Sequence, residues 1–329
     1  MTGDSELPGL REEVKASWHR FLDAFEPLRP DLYRYCRHLT RSPWDAEDLA
    51  QDTLMRAFVT LGTMFSELPN PRAWLFRVAS NAWFDRVRRG RREVLVAQVG
   101  DEMEAAPDPR ALREAAGELF ARLSPQERAA VVLKDAFDFS LEEIAVTLTT
   151  TVQAVKAALH RGRGRLVEAG DDTRPRAATR EALDRFTSAF NAGDLEGVTR
   201  VLLDTASVEI VGVVTEYGRD APKDPRTGSL AGTLAPITFD ERGGVPAELL
   251  VGYRGGAPRC AVHAYRDGPI LVFFYDHDEG PLVRTVMTVD VVDGAIARVH
   301  NYFFSPDVIA EVAAELGLPY RTNGYRYWV

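Results

Sequence analysis

Cysteine is nearly missing from this 329-residue chain: only Cys36 and Cys260 occur, far apart and in unrelated contexts. That scarcity tells against a disulfide framework or a cysteine-held zinc, and a reducing cytoplasm is the expected setting. The N-terminus, MTGDSELPGLREE, lacks the basic-then-apolar pattern of a signal peptide. No apolar run approaches the length of a membrane span; the strongest, Ile270 to Tyr275, suits a buried strand, so no membrane partner is expected. Internal repeats are absent. So is an overall positive charge: the formal net charge of −9 argues, taken alone, against a nucleic-acid binder.

What is present is unevenly placed. Residues 1–170 hold 24 Lys/Arg against 26 Asp/Glu, whereas residues 171–329 hold 16 against 23. Local basic tips matter more for DNA binding than the whole-chain sum. One such tip closes the stretch from Ser42 to Arg92. Ser42 and Asp45 form an S-x-x-D helix start, with Pro43 at the first helical position. Ala46, Leu49, Ala50, Thr53, Leu54 and Ala57 then recur at helical spacing as a buried stripe, and Asp45, Asp48 and Asp52 fall on another face. Three carboxylates in one stripe repel one another unless a basic partner neutralises them. This reads as a docking face; the plainer alternative is a solvated helix side. A second helix opens at Asn70-Pro71 and carries bulky aromatics ahead of Arg86, Arg88, Arg89, Arg91 and Arg92.

Farther on, Ser124 with Glu127 and Ser140 with Glu143 are two capping boxes. Ile144, Ala145 and Leu148 give a short helix its apolar face, and Thr149-Thr150-Thr151 makes a turn. Val152, Val155 and Leu159 anchor the next helix, whose other face shows Gln153, Lys156, His160, Arg161 and Arg163. This is a helix-turn-helix pattern with a basic recognition helix. A capped helical hairpin with a basic flank is its bland counterpart.

The layout divides into a helical stretch at 14–92, a Pro-bearing acidic linker at 93–113, helices at 114–168, and a half of mixed character from 176 to 329. That half opens with helices near 177–192 and 195–203. Strands are expected at Ser207–Val214, Ala247–Tyr253, Arg259–Tyr265, Ile270–Tyr275, Leu282–Val292 and Ala295–Phe304, with hairpin turns at the Asp-Gly pairs 267–268 and 293–294. A last helix follows Ser305-Pro306, near 306–316.

Taken together, the two helical blocks resemble an extracytoplasmic-function (ECF) RNA polymerase sigma factor of the sigma-70 family. DAEDLAQDTLMRAF and PRAWLFRVASNAWFDRVRR are similar to its region two, and LSPQERAAVVLKDAFDFSLEEIAVTLTTTVQAVKAALHRGRGRL to its region four. The resemblance implies that Asp45, Asp48, Gln51 and Asp52 meet the β′ clamp coiled coil of core RNA polymerase. It implies that Asn81 lines a pocket for a flipped base of the minus-ten promoter element, where Trp83 and Phe84 offer stacking. Arg86, Arg88 and Arg89 would neutralise phosphates of promoter DNA, which gives affinity without reading sequence. Trp74, Phe76 and Phe84 have a second reading as core. Minus-thirty-five contacts fall on Thr151, Gln153, Lys156, His160, Arg161 and Arg163. Ala154, Ala157 and Ala158 depart from the larger side chains usual there.

Residues 176–329 resemble a SnoaL-like domain of the NTF2-like superfamily, with FNAGDLEGV the most telling piece. The implied fold class is therefore multidomain, all-α regions two and four followed by an α+β cone-shaped barrel. In such sigma factors the extension modulates transcription through intramolecular contact with the sigma regions. Asp276, His277 and Asp278, with His263 and His300, have the composition of an acid-base set; they read equally as a polar loop and sheet histidines. The expectation is a transcription factor rather than an enzyme, with no cofactor and no metal. The alternative is a polymerase-independent helix-turn-helix regulator with an effector-binding C-terminal domain.

Overall fold

In the computed structural model, the described residues are 6–64, 68, 70–97, 123–164, 177–224, 228–237, 239–240, 243–244, 247–266 and 268–325. The chain divides into two compact units, Met1–Asp171 and Asp172–Val329.

The first unit is helical. Helices α1 (Glu6–Phe25), α2 (Arg29–Thr40), α3 (Pro43–Leu61) and α4 (Pro71–Ala97) precede α5 (Pro125–Asp135), α6 (Leu141–Thr147) and α7 (Val152–Gly164). Ser42 caps α3 by accepting from the Asp45 backbone N–H at 3.3 Å, and Pro43 occupies the first turn. Every residue of the anticipated apolar stripe, from Ala46 to Ala57, is buried. The helices close over aromatic rings: Phe21 stacks on Phe25 at 4.6 Å, and Phe58 meets Trp18 edge-on at 5.1 Å. Trp74 and Phe76 are core residues, and Tyr35 stacks on Phe76 at 4.7 Å. Backbone helix α4 continues to Ala97, past the expected linker start at 93; residues 98–113 lie outside the described set.

The second unit opens with α8 (Ala177–Asn191) and α9 (Leu195–Arg200), followed by β1 (Leu202–Ile210), β2 (Val214–Tyr217) and α10 (Ser229–Leu234). A two-residue pair, β3 (Phe239–Asp240) and β4 (Gly243–Gly244), stands apart. Then come β5 (Arg259–Tyr265), β6 (Gly268–His277), β7 (Gly280–Val292), β8 (Ala295–Asn301) and α11 (Pro306–Glu315). The main sheet runs β2-β1-β8-β7-β6-β5. Only β1 and β8 are parallel, so the sheet is mixed. It is open, ending at β2 and β5, rather than closed into a barrel.

Helix α8 packs Ala182, Leu183, Phe186 and Phe190 against Phe273, Tyr275, Met287 and Val299 of the sheet. Asn191 fixes that approach: its amide donates to the Cys260 carbonyl and its oxygen accepts from the Cys260 N–H, both at 2.8 Å. The rest of FNAGDLEGV follows from the tight reversal into α9. Gly193 takes φ +68°, and Asp194 caps Gly197 N–H at 2.8 Å. A Cβ on Gly197 would sit 2.9 Å from the Ala189 Cβ, so the site excludes a side chain.

Several local expectations shift: the strand expected over Ser207–Val214 ends at Ile210, and the one expected over Ala295–Phe304 ends at Asn301. Ala247–Leu250 is a single 3₁₀ turn, not a strand, because the following Gly252 at φ +74° turns the chain out of extended geometry. Strand β1 begins at Leu202, where the helix was expected to continue to 203. Gly268 pairs with Tyr265 as the first residue of β6, while Asp293 and Gly294 keep the expected turn with φ of 51° and 77°.

Candidate nucleic-acid and polymerase interface

The acidic face of α3 is partly neutralised within the unit. Asp52 accepts from Arg56 Nε at 2.9 Å, and Arg86 Nε lies 3.8 Å away. Arg56 also reaches Asp85 at 3.2 Å, and Asp85 pairs with Arg88 at 2.7 Å, so the network ties α3 to α4. Gln51 donates to Glu47 at 2.7 Å. Glu47 itself is fully buried against Arg29, a partner pair that sequence reading missed. Asp45 and Asp48 are half-buried on the same helix. Gln51 and Asp52 are both engaged within the unit.

On α4, Asn81 is exposed, Trp83 and Phe84 are half-buried, and Arg88 and Arg89 are exposed. Arg86 differs from its arginine neighbours. Its Nη2 donates to the Asp48 carbonyl at 2.8 Å, which makes it a strut between helices. The side chains of Arg91 and Arg92 lie outside the described residues. The Trp83 indole N–H is buried without an acceptor among the described residues.

The helix-turn-helix forms as its capping boxes require. Ser124 and Glu127 bond reciprocally, as do Ser140 and Glu143. Hydrogen bonding at Ser140 holds the Glu143 carboxyl below its ordinary range. Thr149 takes φ +50° in the turn, and Thr150 N–H closes it on the Ala145 carbonyl at 2.8 Å. Thr151 accepts from Ala154 N–H at 3.1 Å, so its hydroxyl caps α7. Val155, Ala158 and Leu159 are buried, and Gln153, Lys156 and His160 share the exposed side. Arg161 is exposed but donates to Glu127 at 2.7 Å. Arg163's side chain lies outside the described residues.

The loop between α5 and α6 supplies contacts that sequence reading did not anticipate. Phe137 meets Phe76 edge-on at 5.1 Å, and Phe139 stacks on Phe76 at 5.7 Å. Arg72, held by Asp31 at 2.9 Å, lies over Phe76, Phe137 and Phe139 at 5.2–5.5 Å. Arg128 donates to the Leu39 carbonyl at 2.7 Å and covers the Trp83 ring at 5.7 Å. Burial, with Arg41 nearby, pulls the Arg128 pKa down to about 10. The visible signal was DAFDFS, two phenylalanines set among aspartates in a turn.

Two family models match the sequence of this helical unit. Sigma-70 region 2 matches residues 24–93, and Sigma-70, region 4 matches residues 113–166. The ECF RNA polymerase sigma factor SigL of Mycobacterium tuberculosis is 33% identical over 139 residues, 39% of this chain and 76% of that protein. The chain belongs to the ECF RNA polymerase sigma-factor family.

SigG from the same organism is 28% identical over 225 residues, 56% of this chain and 60% of SigG. SigJ is 30% identical over 196 residues, again covering 61% of that protein. The chain thus spans about three fifths of these ECF relatives' own length. A crystal structure of SigJ aligns over 87% of this chain and 97% of its own, at 20% identity and a TM-score of 0.32. An NTF2-like protein of unknown function from Cytophaga hutchinsonii aligns over 40% of this chain and 93% of its own, at 12% identity and a TM-score of 0.24.

In the C-terminal unit the five residues with the composition of an acid-base set have separate partners. His300 Nδ1 lies 3.2 Å from Glu209, His263 sits across from Ile270 on β5, and Asp278 pairs with Arg254 at 3.1 Å. Asp276 is exposed, whereas His277 is buried beside Arg284. Alternation along β6 separates Asp276 from His277. No group of three or more metal-ligating side chains occurs among the described residues, and no described helix is long and apolar enough to cross a membrane.

Proposed function

We propose that the chain is a transcription initiation factor that gives core RNA polymerase its promoter choice. The observation that carries this is the pairing, on one helical unit, of the α3 acidic face with an exposed α7 side, matched in order by regions 2 and 4. Asp45, Asp48, Gln51 and Asp52 dock on a basic element of the polymerase, the β′ clamp coiled coil. Asn81, Trp83 and Phe84 take up bases of the opened minus-ten element, with Arg88 and Arg89 on phosphates. Arg86 supports this surface by holding α4 to α3. Gln153, Lys156 and His160 face the minus-thirty-five major groove; Thr151 caps their helix and Arg161 stands at its flank. The NTF2-like unit modulates transcript yield, and the chain acts where transcription occurs, in the cytoplasm, without catalysis of its own.

Co-purification with core polymerase tests the docking. Asp48→Arg reverses one charge on the face and is expected to weaken binding by at least about tenfold. Unchanged binding withdraws the docking assignment. Failure of the unaltered chain to bind polymerase, with retained DNA binding, favours an independent DNA-binding regulator. Removing residues 172–329 is expected to change run-off transcript yield, and an unchanged yield makes that unit a passenger.

A further inference from the structure

Arg284 is the largest fully buried side chain among the described residues. It owes its position to a β-bulge. Phe273 pairs with Thr285 and Phe274 with Val283, so Arg284 is the extra residue of β7. A bulge re-aims the side chain it carries. Here the guanidinium comes to rest beside His277, whose ring lies 5.5 Å from Tyr253, itself edge-on to Tyr275 at 6.1 Å.

The hydrogen bonds around this cation are incomplete. Arg284 Nε donates to Asn323 Oδ1 at 2.8 Å, and Asn323 is held in turn by its donations to the carbonyls of Arg284 and Phe303. Nη1 lies 3.4 Å from His277 Nε2. Nη2 is buried with no acceptor among the described residues. Because guanidinium nitrogens only donate, His277 Nε2 must accept, which puts the imidazole hydrogen on Nδ1. Nδ1 is also buried without an acceptor in hydrogen-bond geometry, although the Val251 carbonyl lies close enough to favour a proton on the ring. Among the described residues the corner therefore holds one clearly unmet donor, Arg284 Nη2.

Charge is unbalanced as well. Among the described residues the groups acting on Arg284 are Tyr275, Arg321 and Tyr253, none of them a carboxylate, and Arg321 is already paired with Glu279 at 2.8 Å. Burial and the neighbouring Arg321 bring the Arg284 pKa down to about 10, which leaves it charged at neutral pH. A buried cation is ordinarily paired, and an unpaired one is costly.

We propose that the Arg284 corner is a binding site for a small molecule bearing one carboxylate, which the Nη1–Nη2 edge of Arg284 receives. With Nε committed to Asn323, that terminal edge is what remains for two parallel N–H···O bonds. One guanidinium calls for one negative charge, so a monoanionic carboxylate suits it better than a phosphate dianion. The rings of Tyr253, Tyr275 and Phe303 supply apolar faces for the rest of the ligand; Phe303 lies 6.4 Å from Tyr275. Tyr253 is only half-buried, and it stands between Gly252 at φ +74° and the Gly255–Gly256 pair at φ +78° and +92°, so entry runs past this ring.

Calorimetric titration of the full chain with sodium benzoate, benzamide and inorganic phosphate tests the site. Benzoate is expected to bind saturably at one site per chain, at least about tenfold tighter than neutral benzamide, and tighter than phosphate. Arg284→Lys keeps the charge and loses the planar edge, and is expected to cost at least about tenfold in benzoate affinity. Circular dichroism checks that this variant folds; if it does not, the preference series on the unaltered chain decides alone. No saturable benzoate binding at millimolar concentration overturns the proposal. Equal binding of benzamide or phosphate does so too, as does unchanged benzoate affinity in folded Arg284→Lys.

Discussion

The guanidinium of Arg128 lies 5.7 Å from the centroid of the Trp83 ring. One residue belongs to α5, within the region 4 match, and the other to the aromatic-basic helix α4 of region 2. The same guanidinium donates to the Leu39 carbonyl, so Arg128 ties the two regions together. Trp83 is a residue assigned to take up promoter bases, and in this arrangement Arg128 covers it.

Arg128→Ala removes a partly desolvated cation–π contact and a charged donor. Together these are expected to lower stability by about 1–3 kcal/mol. Urea unfolding followed by tryptophan fluorescence measures it. A midpoint unchanged within error would show that the contact contributes nothing in solution.

Lys156 is exposed on α7, whereas Thr151 caps the same helix. Lys156→Ala is expected to weaken polymerase-dependent promoter binding on every sequence and to reduce the slope of log affinity against log salt by about one. Thr151→Ala is expected to act through the helix, at about 1 kcal/mol of stability. Filter binding across a salt series separates the two. A promoter-selective loss in Lys156→Ala would make it a base reader instead.

Burial, then the nearby Arg284 and Arg321, holds the His277 pKa below its ordinary value of 6.5, with Glu279 opposing. The sign follows from proton uptake. Below pH 6.5 the unfolded chain binds the proton and the folded one resists it, so stability falls as pH drops through 6.5 toward the folded pKa. His277→Phe removes this contribution and is expected to flatten the decline for the C-terminal transition. Melting curves between neutral and mildly acidic pH check it, and an identical slope in both proteins would assign the pH dependence elsewhere.

Much of this was legible in the sequence because local chemistry and tertiary packing agree. Ser124/Glu127 and Ser140/Glu143 satisfy backbone donors within one turn, so they mark helix starts wherever the chain goes. The α3 stripe is periodic and buries as such. What escaped depended on distant partners. Nothing near Glu47 in sequence announces Arg29, and Arg72 meets Phe137 and Phe139 only after two regions pack. Arg86 looked like its arginine neighbours, yet the Asp48 carbonyl opposite makes it a strut. The Arg284 corner needs a bulge, which period-two reading cannot place. His277 reads from the sequence either as an acid-base partner of Asp276 and Asp278 or as part of a polar loop; the fold buries it and leaves both carboxylates exposed.

Permanganate probing of single-stranded thymines tests the central claim most directly. Core polymerase with this chain is expected to make minus-ten thymines reactive, while neither component does so alone. Asn81→Ala is expected to reduce that reactivity more than it reduces closed-complex binding. Promoter binding by the chain alone, with no reactivity gained when core polymerase is added, would contradict the account.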